Sequence, residues 1–250
     1  GMWEQRFYTD GRLAPCWGYQ IDETATVVYG AYRHFLVMAR KTGKKDTKFL
    51  KDNLKMLEKA TKFLEKYMDF ILGKEETEDK VRMELEKDYN YKERDEIYKH
   101  PSYDLWENTE GIHIYSLSVI YSAFDSMIKT YDEVFELFEK NRLKQDDILK
   151  CKKKLEEYKR DTKKYILDNL VDKKMNVLLR NTTDRLVDIS VVASLFPFRV
   201  FEKNDKFVQN TVDQINMTLR TYSGGYLRYQ GAGYLGGNNP SIIATGWMGL

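Results

Sequence analysis

With 250 residues, 41 Lys+Arg against 39 Asp+Glu and a net charge of +2, the chain suits one large domain or two small ones and lacks the basic surplus of a nucleic-acid-binding surface. Hydrophobic residues make up 42%, enough for a sizeable core, and no apolar run approaches the ~20 residues of a membrane span. Two cysteines, Cys16 and Cys151, and three scattered histidines, His34, His100 and His113, exclude a disulfide framework and a four-ligand zinc site.

Gly1 ahead of Met2 reads as a cloning remnant, and the residues after it lack the order of a secretion signal, so a cytoplasmic address is expected. The 18 tyrosines beside only 4 prolines favour long helices with amphipathic walls. Residues 22–40 predict a mostly buried helix, stopped by Lys41 to Lys44 around Gly43. Residues 46–72 predict a one-faced helix, because Leu50, Leu54, Leu57, Thr61, Leu64, Met68 and Ile71 recur at three- and four-residue steps. Residues 74–100, rich in Lys and Glu, read as a surface loop with a helical piece. Residues 110–130 are apolar nearly all round and predict an interior helix. Residues 145–170 predict a second surface helix, with Ile148, Cys151, Leu155, Tyr158, Thr162, Tyr165 and Asn169 inward and Lys152–Lys154 on a solvated face. A buried helix over 188–196 before Pro197, an amphipathic one over 203–220 and an apolar one from Ser241 complete the series.

Buried helices thus alternate with exposed ones. That pattern predicts two layers, an inner and an outer ring, and so an all-α fold of the α/α-barrel type. Residues 2–250 read as one such domain, with part of the ring lacking at one or both ends, since only eight or nine helices fit. An incomplete ring would expose apolar inner faces, a route to self-association.

Three polar, aromatic segments sit between these helices. The first, Pro15 to Glu23, packs Trp17, Tyr19, Gln20 and Asp22 at the mouth of a helix. Aromatic rings stack on a pyranose and a carboxylate accepts from its hydroxyls; the alternative is that Asp22 merely caps the next helix. The second, Pro101 to Asn108, sets Asp104 and Glu107 beside Trp106. A carboxyl against an indole can stay protonated and act as a general acid; the alternative is that both cap a helix near 110. The third, 223–240, is rich in Gly and Tyr, and its glycines allow close backbone approach. His113, in an apolar run, reads as a satisfied core histidine.

Together these segments resemble the glucoamylase-type glycoside hydrolases, glycoside hydrolase family 15. The resemblance is carried by QIDETATVVYGAYRH at 20–34, PSYDLWENTEGIHIYSLSVIYSAF at 101–124, GGYLRY at 224–229, YLGGNNP at 234–240 and TGW at 245–247. It implies a barrel of six inner and six outer helices. It implies that Glu107 is the general acid, that Asp22 holds the terminal glucose hydroxyls, and that Asp104 and Trp106 shape that subsite. Arg185 is placed as a substrate contact, and Arg228 and Tyr229 as a structural motif. Asn108 stands where many members carry an acidic residue that contacts a sugar hydroxyl. Gly233 replaces an acidic residue and Ser241 a tryptophan. Inversion needs two carboxylates about 6.5–9.5 Å apart, and the family's base lies past the helix near Trp247.

The expected function is therefore inverting hydrolysis of α-glucan oligosaccharides from their non-reducing ends, with no cofactor, no nucleic acid and no membrane partner. The alternatives are a non-catalytic glucan-binding or regulatory domain of the same fold, and a helical scaffold without a sugar site.

Overall fold

The computed structural model describes residues 2–3, 6–12, 14, 19–74, 102–233 and 237–249. Of the expected surface segment over 74–100 only Lys74 is described, exposed and paired with Asp161; residues 75–100, Cys16, Trp17 and Tyr234 lie outside the described residues.

Helix α1 (Ile21–Thr42) ends where Gly43 turns left-handed, at φ 70. It buries one face, Ile21, Asp22, Ala25, Val28, Tyr32 and Phe35, but leaves Val37 and Met38 exposed. The expectation of a mostly buried helix is thus corrected: the apolar run VVYGAYRHFLVM is wider than the face its neighbours cover. Helix α2 (Thr47–Ile71) opens on Asp46, whose side chain accepts from the Phe49 amide, and buries Leu50, Leu54, Leu57, Thr61, Leu64 and Met68 as their spacing predicts.

Two short strands, β1 (Ser102–Tyr103) and β2 (Glu110–Gly111), pair antiparallel around a tight loop. Because Glu110 and Gly111 are spent on that ladder, the interior helix starts later than expected: α3 runs Ile114–Val134. It is the centre of the core, buried on almost every side from Ile114 to Val134 and packed against α1, α2 and α4 (Arg142–Asn169). On α4 the buried line is Ile148, Leu155, Tyr158, Thr162 and Ile166. Cys151 and Asn169, expected inward, are exposed; Ile166 and Leu170 take the inner line instead. Lys152 and Lys154 lie on the outer face, paired with Asp132 and Glu65.

After α4 comes a second ladder, β3 (Val171–Asp172) with β4 (Val177–Leu178). The expected buried helix over 188–196 is a six-residue 3-10 turn, Ile189–Ser194. Its length is limited by its own bonding. Asp188 is extended and caps the Ser190 amide, while Phe198 and Val200 return to the carbonyls of Ala193 and Ser194. Helix α5 (Lys206–Leu219) buries Val208, Thr211, Ile215 and Leu219. Helix α6 (Ile242–Met248) is capped by Ser241 but buries only Ala244, leaving Ile242 and Ile243 exposed. Among the described residues no helix is long and apolar enough to cross a membrane.

The Gly/Tyr stretch is fastened, not loose. The Leu227 amide bonds Leu219, the Ser241 amide bonds Tyr226, and the Tyr226 amide bonds the Thr245 hydroxyl. Gly225 is required by space: a Cβ there would lie 2.6 Å from Pro240 Cβ.

Candidate active site

The first residues of α1 are tied to the β1–β2 loop by backbone and side-chain bonds. The Tyr103 amide donates to the Tyr19 carbonyl, the Ile21 amide to Ser102 Oγ, and Gln20 Nε2 to the Asp104 carbonyl. His113 lies beneath, buried, with Nε2 3.1 Å from the Ser102 carbonyl. A carbonyl only accepts, so Nε2 carries the proton, and burial pushes the imidazole's pKa below its ordinary value. It is the satisfied core histidine its surroundings predict.

Asp104 organises the loop. Its Oδ1 accepts from the amides of Asn108 (2.7 Å) and Thr109 (3.0 Å), and its carbonyl accepts from the Glu107 amide. The loop is a hairpin turn, so Asp104 does not cap the helix. Its other oxygen, Oδ2, is buried without a hydrogen-bond partner. Asp22, in the first turn of α1, is buried too, and its Oδ1 is likewise unpartnered. Gln20, not Asp22, holds the N-cap position. Burial, assisted by the charge of Asp104, pushes Asp22 from 3.8 up to about 7. The Tyr19 hydroxyl is a third buried group without a partner, and burial pushes its pKa well up, with Tyr67 and Asp22 adding to the effect. Buried polar atoms are nearly always satisfied in folded proteins. Here two carboxylate oxygens and a phenol, linked by their charges, are left to bond something else.

Glu107 stands at the tip of the same turn with φ 59. A left-handed backbone disfavours a side chain by about 1–2 kcal/mol, so the surroundings must hold it there. Its carboxylate is one-third exposed, and both oxygens lie 3.3 Å from Arg6 Nη2. Arg6 belongs to an N-terminal hairpin in which Tyr8 and Arg12, and Arg6 and Ala14, are joined through their backbones.

Both neighbours of Glu107 are anchored. Trp106 Nε1 donates to both oxygens of Asp188 at 3.1 Å, and the Arg228 guanidinium lies 5.4 Å from the indole. Asn108 Nδ2 donates to the Tyr229 hydroxyl at 3.2 Å. Trp247 lies 6.2 Å from Trp106 and stacks on Tyr115 at the same separation.

The structure therefore brings Tyr19, Asp22, Asp104, Trp106, Glu107 and Asn108 into one region, with Arg228 and Tyr229 behind the turn. Arg185 is elsewhere: it is exposed and pairs with Asp172 at 3.1 Å, on the rim of a cavity between the β3–β4 hairpin and α5. Arg180 is the buried arginine of this stretch, bonded to Asp184 and reaching Asp188. Arg180 did carry a signal, a charge directly after the apolar triplet Val177 to Leu179, as did Asp188, an acid opening the apolar run ISVVAS. Arg6 carried none. Among the described residues no group of His, Cys, Asp and Glu is arranged to hold a metal ion.

No protein-family profile matches the chain. Over its whole length it is 25% identical to a protein named an uncharacterised glycosyl hydrolase from Methanocaldococcus jannaschii, of which it covers 33%. A solved glycosidase with a glutamate-to-alanine substitution superposes on 99% of the chain with a TM-score of 0.63 and 17% identity, over 53% of its own length. The fold is the helical, barrel-like one of that glycosidase. Another glutamate-to-alanine glycosidase, solved in complex with glucose, matches 93% of the chain at a TM-score of 0.59 and 16% identity, over 48% of its length. The chain thus spans about a third of the curated relative and about half of the solved ones.

Proposed function

We propose that the protein is a glycoside hydrolase of glucoamylase type, releasing glucose with inversion from the non-reducing ends of α-glucan oligosaccharides. The observation that carries this reading is the set of buried, unpartnered groups at the start of α1: Asp22 Oδ1, Asp104 Oδ2 and the Tyr19 hydroxyl. A sugar presents adjacent hydroxyls that both donate and accept, which is what this set lacks. The relatives' names, glycosyl hydrolase and glycosidase, support the same class.

In this reading the terminal glucose donates hydroxyl hydrogens to Asp22. Hydrogen bonds to the ionised form favour it, so binding draws the Asp22 proton off. Glu107 passes its proton to the glycosidic oxygen as the bond from that oxygen to C1 breaks. Water then attacks C1 from the opposite face, and its proton passes to the second carboxylate that inversion requires, which the family resemblance implies past the helix near Trp247 and which is not among the site residues described above. Arg6 must leave Glu107 for this to occur. That ion pair is also the observation that favours the second reading, a non-catalytic glucan-binding domain in which Glu107 stays paired.

The test is maltose hydrolysis by the full-length gene product, followed by proton NMR. The expected first product is β-glucose, and Glu107→Gln abolishes its release. Release of α-glucose overturns inversion. Binding without release favours the second reading.

A further inference from the structure

The two residues flanking Glu107 are held by one network, buried at Asp188 and Arg180 and exposed at the Asn108–Tyr229 bond. Trp106 donates to both oxygens of Asp188 at 3.1 Å. Asn108 donates to the Tyr229 hydroxyl, and the Tyr229 ring lies under the Arg180 guanidinium at 5.3 Å. Arg180 in turn reaches Asp188 at 3.5 Å and binds Asp184 through Nε (2.9 Å) and Nη2 (2.6 Å). Asp188 is 2% exposed and Arg180 6%. Tyr229 is also joined to Asp188 through the backbone, as an antiparallel bridge.

A buried ion pair is a poor source of net stability, because desolvation offsets attraction; what it does well is fix geometry. An indole N–H can only donate, and a carboxylate offering both oxygens fixes the ring's direction. Glu107 meanwhile sits in a strained left-handed conformation that persists only if its neighbours are over-determined.

We propose that the Asp188–Arg180 pair is the positioning device of Glu107. It grips Trp106 directly and Asn108 through Tyr229, and so aims the carboxyl between them. Asp188 and Arg180 are positioning residues, not catalytic ones, since neither touches Glu107. The proposal deepens the reading of Glu107 as the general acid and rests on it.

The test separates aim from architecture. The substrates are maltose, whose leaving group needs a proton, and α-glucosyl fluoride, whose leaving group needs little help. With Asp188→Ala, kcat on maltose is expected to fall about 10–100-fold, the range for a misplaced catalytic group, while kcat on the fluoride falls less than about threefold. Asp188→Asn leaves the indole a single acceptor oxygen with the side chain's shape kept, and should give a smaller split in the same direction if Asp188→Ala fails to fold. Equal losses on both substrates, or no loss, overturn the proposal. A readout without turnover accompanies it: the Trp106 indole and Glu107 amide resonances in nitrogen-15 spectra. In Asp188→Ala both should move, and in Asp188→Asn both should move by less. If the unmodified protein cleaves neither substrate, the hydrolase reading fails. The grip on the turn then stands if the resonances move and falls if they do not.

Discussion

Replacing Asp22 by Asn should change how stability depends on pH. Burial raises the Asp22 pKa from 3.8 to about 7, so its ionisation costs more in the fold than in the unfolded chain. A shift of that size corresponds to about 4 kcal/mol at most. Below pH 4 the carboxyl is neutral in both states and nothing is lost. Between pH 4 and 7 the unfolded chain ionises while the fold keeps its proton, so stability falls as pH rises; above 7 the loss is complete. The carboxamide of the Asp22→Asn variant has no proton to lose. The stability difference, variant minus parent, should therefore grow by about 2–4 kcal/mol between pH 4 and pH 8, because contributions from other carboxyls, Asp188 included, largely cancel. Urea unfolding at four or five pH values measures this directly. Parallel curves for parent and variant would refute the reasoning, since they would mean that Asp22 ionises as easily in the fold as outside it.

Arg6→Ala removes an exposed ion pair, so stability should change by less than about 1 kcal/mol. Maltose turnover by the full-length product should rise severalfold; an unchanged or lower kcat would show that Arg6 does not hold the acid back. Ser102→Ala should destabilise by about 1–3 kcal/mol in urea unfolding, because the buried Ile21 amide loses its acceptor at the start of α1. Gly225→Ala should cost about 1–3 kcal/mol by forcing Pro240 away, with the loss read as a lower Tm.

Much of this architecture was legible because helical spacing writes burial into sequence. The seven-position stripe of α2 and the all-round apolarity of α3 describe what each helix touches. The failures share a cause, which is that a neighbour decides the outcome. The apolar width of α1 exceeds what its neighbours cover, and residues 110–111 prefer a ladder partner 102–103 that no local pattern reveals. The 3-10 turn at 189–194 is apolar enough for a helix, but its ends are bonded elsewhere.

At the site, residue chemistry pointed to Asp22, Asp104, Trp106 and Glu107, and the structure places them near one turn. It did not reveal that Glu107 is left-handed, that Arg6 covers it, or that Arg180 and Asp188 lie behind it. Those are long-range pairings, over 101 residues between Arg6 and Glu107 and 82 between Trp106 and Asp188, and no local pattern encodes them.

The proposed hydrolysis requires sugar hydroxyls to bond the buried carboxylate at the start of α1. Titrating maltose into full-length Glu107→Gln protein at pH 7, in buffers of different ionisation enthalpy, measures the protons released per sugar bound. With Asp22 near half-ionised at that pH, binding should release about half a proton, and adding Asp22→Asn should abolish both the release and most of the affinity. Maltose binding that is indifferent to Asp22, or no binding at all, would contradict the account.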